Sequence, residues 1–336
     1  MNHKVLMYSG YARNWYWELF DTLLDENRLI PCQQGLGIES PHSLVIIIPE
    51  VNDIFDAFVS VDLPRMENYD YRLTFSLLYS LRRIMGYHET VLFDKYPILQ
   101  KYVSTRSGKF YSRVNSYLRE EIPEHIRSKP WVKQIDLNGC KYFSIDQLAR
   151  AVSILAEPDR SGSRTCLVDF GDGYKSRCVM SWLFIVRDGY INAYNHMRSN
   201  DLLIGLPNDL IDLRLCQIIV AACTGFSIGY LHHQASLFQV YKKDIAEVNQ
   251  LKRLLEIRKL YIEDDDAKVI EKISRNRLFI DISNILQGYM NKPVSNGSES
   301  LGRYQEIMNK LNQIFWFHNP ECSVENKQSV LGSEII

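Results

Sequence analysis

The sequence lacks any cysteine pattern that would build a metal site or a disulfide framework. Its seven cysteines include no C-x-x-C pair and no regular spacing, whereas zinc sites and small disulfide-rich domains require such spacing. His232 and His233 have no acidic or cysteine neighbours at ligand spacing, so we expect no metal site. Sparse, unpatterned cysteines are typical of a reducing compartment, and we predict a cytoplasmic location.

Long apolar runs and an excess of charge are also missing. The strongest apolar runs, 44–49, 182–186 and 218–223, are far shorter than the roughly 20 residues that span a bilayer. The first ten residues lack the apolar region of a signal peptide, so we expect neither a membrane segment nor a targeting segment. Lys and Arg number 39 against 40 Asp and Glu. This balance favours a small anionic partner, such as a free nucleotide, over a nucleic-acid polymer.

The chain has ample apolar content for a globular core. Its 336 residues are 46% apolar, which suffices for one large domain or two ordinary ones. Hydrophobic periodicity predicts helices at 14–26, 71–85 and 210–224, and strands at 44–48, 182–186 and 190–197. Arg187-Asp188-Gly189 predicts a hairpin between the last two strands. Pro207-Asn208-Asp209 is expected to start the third helix, with Asp212 in its first turn.

The C-terminal part reads as a helical extension. A charged helical pattern runs from 242 to about 290, and the Asn-, Ser- and Gly-rich residues 291–302 predict a loop before a last short helix. The tail from Asn319 is expected to be mobile. We therefore divide the chain into a domain of residues 1–290 and a helical extension of residues 291–336.

The most informative stretch begins at Cys178 and places a thiol, an arginine and carboxylates at fixed offsets. Met197-Arg198-Ser199-Asn200-Asp201 is followed closely by Gly205-Leu206-Pro207-Asn208-Asp209. This block resembles the R-S-x-D…G-[LF]-x-x-[ND] signature of the thymidylate synthase and deoxycytidylate hydroxymethylase family. The similarity runs without gaps from Cys178 to Tyr241, with weaker matches toward the N-terminus.

The resemblance implies a role for each matched residue. Cys178 would be the nucleophile that adds to C6 of a pyrimidine. Gly108-Lys109-Phe110-Tyr111 resembles the family loop that presents a tyrosine near this cysteine, so Tyr111 would assist it. The remaining matched positions would bind substrate: Arg198 and Ser199 the phosphate, Asp201 the base and folate end, Arg164 the phosphate of the other subunit, and Gln239 and Tyr241 the sugar end. Because an arginine would cross between subunits, the resemblance also implies a homodimer.

Asp209 is the position that separates the two branches of the family. By resemblance, thymidylate synthases have Asn there and cytidylate hydroxymethylases have Asp. An Asn amide matches the uracil edge, whereas a carboxyl group accepts from the exocyclic amine of cytosine and, when protonated, donates to N3. Asp209 is therefore counted with the catalytic residues as the group that selects the base.

Four positions depart from the family pattern. The glutamate of the family's E-L-x-W helix motif corresponds to Ser76 in Ser76-Leu77-Leu78-Tyr79. Gln239 stands where the family has a sugar-binding histidine, Gln33 where it has a phosphate-binding arginine, and Val179 where a histidine follows the nucleophile.

Each candidate also has a structural alternative. Cys178 could be a buried small hydrophobic residue, since free cysteines are often buried. Asp209 could be a helix N-cap, with Asn208 able to cap in its place. Arg198 could pair with a surface carboxylate, and Arg164 could be an ordinary solvated arginine of a Ser- and Gly-rich loop.

These observations predict an α/β (α+β) fold of the thymidylate synthase type, a mixed sheet covered by helices. The leading functional interpretation is a pyrimidine nucleotide C5 one-carbon transferase, specifically a 5-hydroxymethylase of dCMP or CMP. Its partners would be a pyrimidine nucleoside monophosphate and methylenetetrahydrofolate. Two alternatives remain open: a nucleotide-binding or regulatory homologue without turnover, favoured by Ser76, and a folate-independent enzyme that modifies C5.

Overall fold

The structure describes most of the chain in separate ranges. The computed structural model covers residues 5–25, 29–32, 35–40, 42–63, 69–85, 121–137, 140–159, 163–170, 178–203, 205–242, 245–246, 249, 253, 270–271 and 273–318. Tyr111, Gln33, most of the charged segment after 242 and the tail from Asn319 lie outside the described residues.

Ten strands are described, and eight of them form one mixed sheet. The strands are β1 (Val5–Ser9), β2 (Leu29–Cys32), β3 (Gly35–Glu39), β4 (Ser43–Ile48), β5 (Val132–Leu137), β6 (Cys140–Ile145), β7 (Leu167–Asp169), β8 (Val179–Arg187), β9 (Tyr190–Asp201) and β10 (Ser227–Tyr241). The large sheet has the order β1-β4-β10-β9-β8-β7, with β3 pairing to β10 and β2 to β3. β1 and β4 run parallel, as do β9 and β10, and the remaining pairs in the sheet are antiparallel. β5 and β6 form a separate hairpin.

Helices pack on this sheet, which confirms the predicted fold class. They are α1 (Ala12–Asp25), α2 (Ile54–Val61), α3 (Tyr69–Met85), α4 (Glu124–Arg127), α5 (Gln147–Leu155), α6 (Gly205–Thr224), α7 (Arg277–Gln287) and α8 (Gly297–His318). The helices predicted at 14–26 and 71–85 correspond to α1 and α3, each within two residues. The strands predicted at 44–48, 182–186 and 190–197 correspond to β4, β8 and β9.

The hairpin between β8 and β9 forms where the sequence predicts it. Asp188 and Gly189 have φ angles of 52° and 82°, the left-handed values that a two-residue turn of this twist requires. Glycine adopts such values without strain and aspartate tolerates them better than most residues. Because this turn sets the register, Trp182 and Phe184 both point into the core.

α6 is the central helix of the fold. Its residues from 209 to 224 are all buried, because the helix packs on β9 and β10 and is surrounded by α2, α3, α5 and α8. A helix that is apolar nearly all round belongs in the interior of a protein. The first turn of this helix is therefore held firmly at the edge of the sheet.

α6 begins five residues before the predicted first helical residue, Leu210, and two residues before Pro207. Gly205 is its first residue, so Pro207 lies in the first turn, where its missing N–H would have no intrahelical partner. A Cβ at Gly205 would lie only 3.0 Å from Asn200 Oδ1, so glycine permits this close approach. The expectation for Asp212 was also wrong. It is fully buried and forms an ion pair with Arg83 of α3 instead of lying in the first turn.

The last helix begins earlier and is longer than predicted. Asn296 caps α8, its Oδ1 accepting hydrogen bonds from the backbone N–H groups of Ser298 and Glu299 at 3.0 Å each. The polar residues taken for a loop therefore include a helix start. α8 contributes Leu301, Tyr304 and other residues to the main hydrophobic core. The boundary at residue 290 remains a prediction.

Among the described helices, none combines the length and the apolar character that a membrane-spanning helix needs.

Candidate active site

One edge of the sheet collects the residues singled out by sequence. β9 and β10 are parallel, so their carboxyl ends, at Asp201 and Tyr241, meet at the same edge. β8 runs antiparallel to β9, so Cys178, immediately before β8, lies at that edge as well. The first turn of α6, with Asp209, follows β9 after three residues. The topology thus brings a thiol, an arginine and two carboxylates together.

Cys178 is held against the end of β9. Its carbonyl oxygen accepts the backbone N–H of Arg198 at 2.8 Å, and its Sγ lies 3.7 Å from the hydroxyl oxygen of Ser199, which donates to it. The side chain is half-buried. The thiol therefore lies at the sheet edge, partly accessible and with a hydroxyl group beside it.

The other cysteines with described side chains have different surroundings. Cys166, Cys216 and Cys223 are fully buried. Burial raises the pKa of Cys166 to about 11 and raises the pKa values of Cys216 and Cys223 as well. Such thiols stay protonated and unreactive. Among the four described cysteine side chains, Cys178 alone is partly accessible, which argues against its being merely a core residue.

Asp209 is the fifth residue of α6 and is therefore not its N-cap. It is 9% exposed, and its Oδ2 accepts a hydrogen bond from Asn200 Nδ2 at 3.4 Å. The same oxygen lies 3.8 Å from the position that a Cβ at Gly205 would take. The carboxyl group thus points back toward the start of the helix and the end of β9. Asn208 is not an N-cap either, because the helix has already begun.

Ser76 lies beside this turn. Its hydroxyl donates to Asn208 Oδ1 at 2.6 Å, joining α3 to α6. Ser76 is 1% exposed. Ser76, which the resemblance places where the family has its glutamate, therefore contacts the residue that immediately precedes Asp209.

The end of β10 carries the two residues expected at the sugar end. Gln239 pairs with Asp201 in the β9–β10 register, and its Nε2 donates to the Tyr241 hydroxyl at 2.8 Å. Asp201 Oδ1 accepts the backbone N–H of Leu203 at 2.8 Å, which turns the chain from β9 toward α6.

The two arginines differ in their relation to the site. Arg198 is exposed and adjoins Cys178 through the backbone. Arg164 is exposed in the loop before β7. Within the described part of the chain it forms no hydrogen bond or ion pair with Cys178, Arg198 or Asp209. Its role at the phosphate stays a prediction.

Three further polar residues lie behind Asp209, and sequence reasoning missed them. Asn195, Asn200 and His233 are 3%, 2% and 0% exposed. Burial lowers the pKa of His233 to about 3, so its imidazole is neutral. Polar residues at buried positions of β9 and β10 were the only signal in the sequence, and their contact depends on the strand register.

Within the ranges that the structure describes, His, Cys, Asp and Glu form no group of three or more that could hold a metal ion. His232 stacks on Tyr194, with ring centroids 4.5 Å apart.

The thymidylate synthase family model matches residues 108–294, more than half of the chain. The chain belongs to the thymidylate synthase family. The match covers Cys178, Arg198, Asp209 and Tyr241, whereas Ser76 lies before it. Thymidylate synthases transfer one-carbon units to C5 of pyrimidine nucleotides and use methylenetetrahydrofolate. The one-carbon transferase class predicted from sequence is thereby supported at this level.

Proposed function

We propose that this protein is a cytidylate 5-hydroxymethylase, with dCMP ranked above CMP as substrate. The observation that carries the proposal is Asp209, whose buried carboxyl group stands at the sheet edge that also holds Cys178. In this position the family's base-reading residue is a carboxyl group and not an amide. A carboxyl group complements the exocyclic amine and N3 of cytosine.

The proposed mechanism uses the thiol first. The Cys178 thiolate forms a bond to C6 of the pyrimidine, and the electron pair of the C5–C6 double bond makes C5 a carbon nucleophile. C5 then takes up the one-carbon unit and loses its proton while the bond between this carbon and its donor's nitrogen breaks, so that an exocyclic methylene remains on C5. Addition of water to the exocyclic methylene and departure of the thiolate from C6 leave a 5-hydroxymethyl group. Ser199, 3.7 Å from the sulfur, supports the thiolate when it is free.

Methylenetetrahydrofolate would supply a methylene carbon at the oxidation level of formaldehyde. Asp201 is the residue that would hold it: this half-buried carboxylate stands at the sheet edge near Cys178. Carboxylates accept hydrogen bonds from N–H groups of the kind that a pterin ring carries. A hydrogen-bond acceptor at this position therefore fits the pterin ring of methylenetetrahydrofolate.

We also propose a homodimer formed through the open face of the sheet. A row of side chains, Leu183, Tyr194, His232 and Ile47, runs across four strands in register. These residues are only half-buried, whereas their neighbours toward the helices are fully buried. On the same face Val5 and Met7 are 57% and 66% exposed. A partner covering this face would remove apolar surface from water and could bring its Arg164 to the phosphate.

Asp209→Asn should shift binding from cytidylate toward uridylate. The amide of Asn donates to O4 of uracil and accepts from its N3–H, whereas the carboxyl group of Asp complements cytosine. The difference in binding free energy between cytidylate and uridylate should therefore change by about 1–3 kcal/mol. The measurement is calorimetric titration of the wild-type protein and of Asp209→Asn with dCMP, CMP and dUMP. An unchanged preference would remove Asp209 from base recognition and leave it a purely structural residue.

Arg198→Ala should weaken the binding of a monophosphate but hardly that of the nucleoside. It removes a charge-assisted hydrogen bond worth about 1.5–3 kcal/mol. Titration with dCMP and with deoxycytidine separates the two terms, and Arg187→Ala, an exposed arginine at the other end of the same hairpin, is the control. Equal weakening of both ligands would show that Arg198 supports the fold.

The same assay extends to Arg164, which we propose acts across the dimer. Arg164→Ala should likewise weaken the monophosphate selectively. A mixed dimer of one Arg164→Ala chain and one Cys178→Ala chain should regain about half of the wild-type turnover if one subunit completes the other's site. A mixed dimer no more active than the Arg164→Ala parent would show that Arg164 does not act across the dimer, and an Arg164→Ala homodimer that binds the monophosphate as the wild type does would place Arg164 outside the phosphate site.

A second candidate function is a nucleotide-binding homologue without turnover. Ser76 favours it, because a hydroxyl bonded to Asn208 stands where the family has its proton-transferring glutamate. Tight nucleotide binding with no product, with or without a carboxylate restored at this position, would make it the better description.

A further inference from the structure

A chain of buried polar side chains leads from the interior of the sheet to Asp209. His233 Nδ1 lies 2.9 Å from Asn195 Nδ2, its partner in the β9–β10 register. On the other side of the ring, Nε2 lies 3.0 Å from Asn200 Nδ2. The same Asn200 nitrogen donates to Asp209 Oδ2 at 3.4 Å.

The neutral state of His233 determines the direction of these hydrogen bonds. A neutral imidazole carries one N–H, so one ring nitrogen donates and the other accepts. An oxygen of Asn200 in this place would face a carboxyl oxygen of Asp209 and the Met197 sulfur, both acceptors. The NH₂ group can instead donate to the ring and to the carboxyl group, the thioether sulfur at 3.0 Å being the weakest acceptor of the three. Nε2 therefore accepts from Asn200, and Nδ1–H donates to the amide of Asn195. The Nδ1–H group needs an acceptor, so the Asn195 oxygen, and not its nitrogen, faces the ring. The two ends of an amide have the same shape, so the amide can take this orientation in the same space.

We propose that Asn200, oriented by His233, is a positioning residue that selects which oxygen of Asp209 accepts and which one donates at the base. This inference rests on the proposed function, in which Asp209 reads the pyrimidine. A neutral carboxyl group can complement either cytosine or uracil, depending on which oxygen carries the proton. The N–H of Asn200 keeps Oδ2 an acceptor, so that a proton taken up by this carboxyl group at the base goes to Oδ1.

In the proposed arrangement Oδ2 faces the exocyclic group of the base and Oδ1 faces N3, and with that placement the polarity matches cytosine. The acceptor oxygen receives the exocyclic N–H, and the protonated oxygen donates to N3. For uracil the two roles would have to be exchanged, which would set the acid proton of Oδ2 against the N–H of Asn200. The network thus extends base selection from one residue to the pair behind it, across strands β9 and β10.

The first test concerns the ring itself and needs no ligand. Long-range proton–nitrogen NMR of the free wild-type protein at neutral pH, assigned through the His233 backbone, should show protonated Nδ1 and unprotonated Nε2. An Nε2–H tautomer or a charged ring would overturn the proposal, whatever the protein binds.

The second test is Asn200→Asp, which removes the N–H and keeps the shape. The ratio of dCMP to dUMP affinity should fall by about tenfold, equivalent to about 1.4 kcal/mol. Asn192→Asp is the matched control. Asn192 is a buried asparagine of the same strand whose Oδ1 accepts the Tyr230 N–H, a role that aspartate keeps, so the ratio should not change.

The outcomes distinguish failure of the positioning role of Asn200 from failure of the proposed function. A wild-type preference for dCMP that Asn200→Asp leaves intact overturns the positioning role and spares the proposed function. Absence of any pyrimidine monophosphate binding by the wild-type protein overturns both. A fall in the ratio in Asn200→Asp but not in Asn192→Asp supports the proposal.

Discussion

Cys178→Ala should abolish product formation while leaving nucleotide binding largely intact. The thiolate forms the bond that activates C5, and removal of an enzymatic nucleophile costs on the order of 10⁴- to 10⁶-fold in turnover. The half-buried sulfur has Ser199 beside it but few polar contacts to lose, so the fold should survive. The measurement is mass-spectrometric detection of 5-hydroxymethyl nucleotide, together with exchange of the C5 hydrogen of bound dCMP with solvent.

The matched control is Cys166→Ala. Cys166 is fully buried and its thiol has a pKa raised to about 11, so its removal should leave turnover unchanged. C5 exchange at the wild-type rate in Cys178→Ala would eliminate the covalent mechanism. Loss of activity in both variants would point to a general effect of removing a cysteine and not to a nucleophile.

Ser76→Glu should raise folate-dependent turnover by about 10²-fold or more. A serine hydroxyl cannot carry protons at neutral pH as a carboxyl group does, and general acid–base help is worth typically about 10²–10⁴-fold. Ser76 is buried next to the turn that holds Asp209, where burial favours the protonated form of a carboxyl group and makes it a usable acid. The assay follows product formation with methylenetetrahydrofolate and dCMP or CMP.

Ser76→Gln is the control for size, because it has the same length and also loses the hydroxyl bond to Asn208. It should gain nothing, and thermal unfolding should show that both variants are destabilised to a similar degree. Robust wild-type turnover that Ser76→Glu fails to improve would mean that another carboxylate does this work. The equivalence of Ser76 with the family glutamate would then be wrong.

Neighbouring residues were enough to predict the local elements and the class of reaction. The strands of the β8–β9 hairpin and the long helices α1 and α3 follow from periodicity, since apolar alternation and helical spacing are properties of neighbouring residues. The turn at Asp188 and Gly189 follows from its residue types. The ordered motif from Cys178 to Asp209 was sufficient for the family, because its residues are close in sequence.

The ends of the helices were less predictable for a physical reason. Pro207 suggested a start, yet a proline is equally tolerated two residues further into the first turn, and the approach of Gly205 to Asn200 decides between them. Asn296 looked like part of a loop, since asparagine is common both in loops and at N-caps. In such cases packing, and not propensity, selects the boundary.

Contacts between residues that are far apart in sequence could be seen in the folded chain alone. Asn200 and His233 are 33 residues apart, and they meet because β9 and β10 pair in parallel with a particular register. Arg83 and Asp212 likewise pair across α3 and α6. Such contacts depend on strand order and helix packing, which arise from burial of the whole core. A buried polar group must find a partner wherever the fold brings one, so the residues behind Asp209 became visible only once the chain was folded.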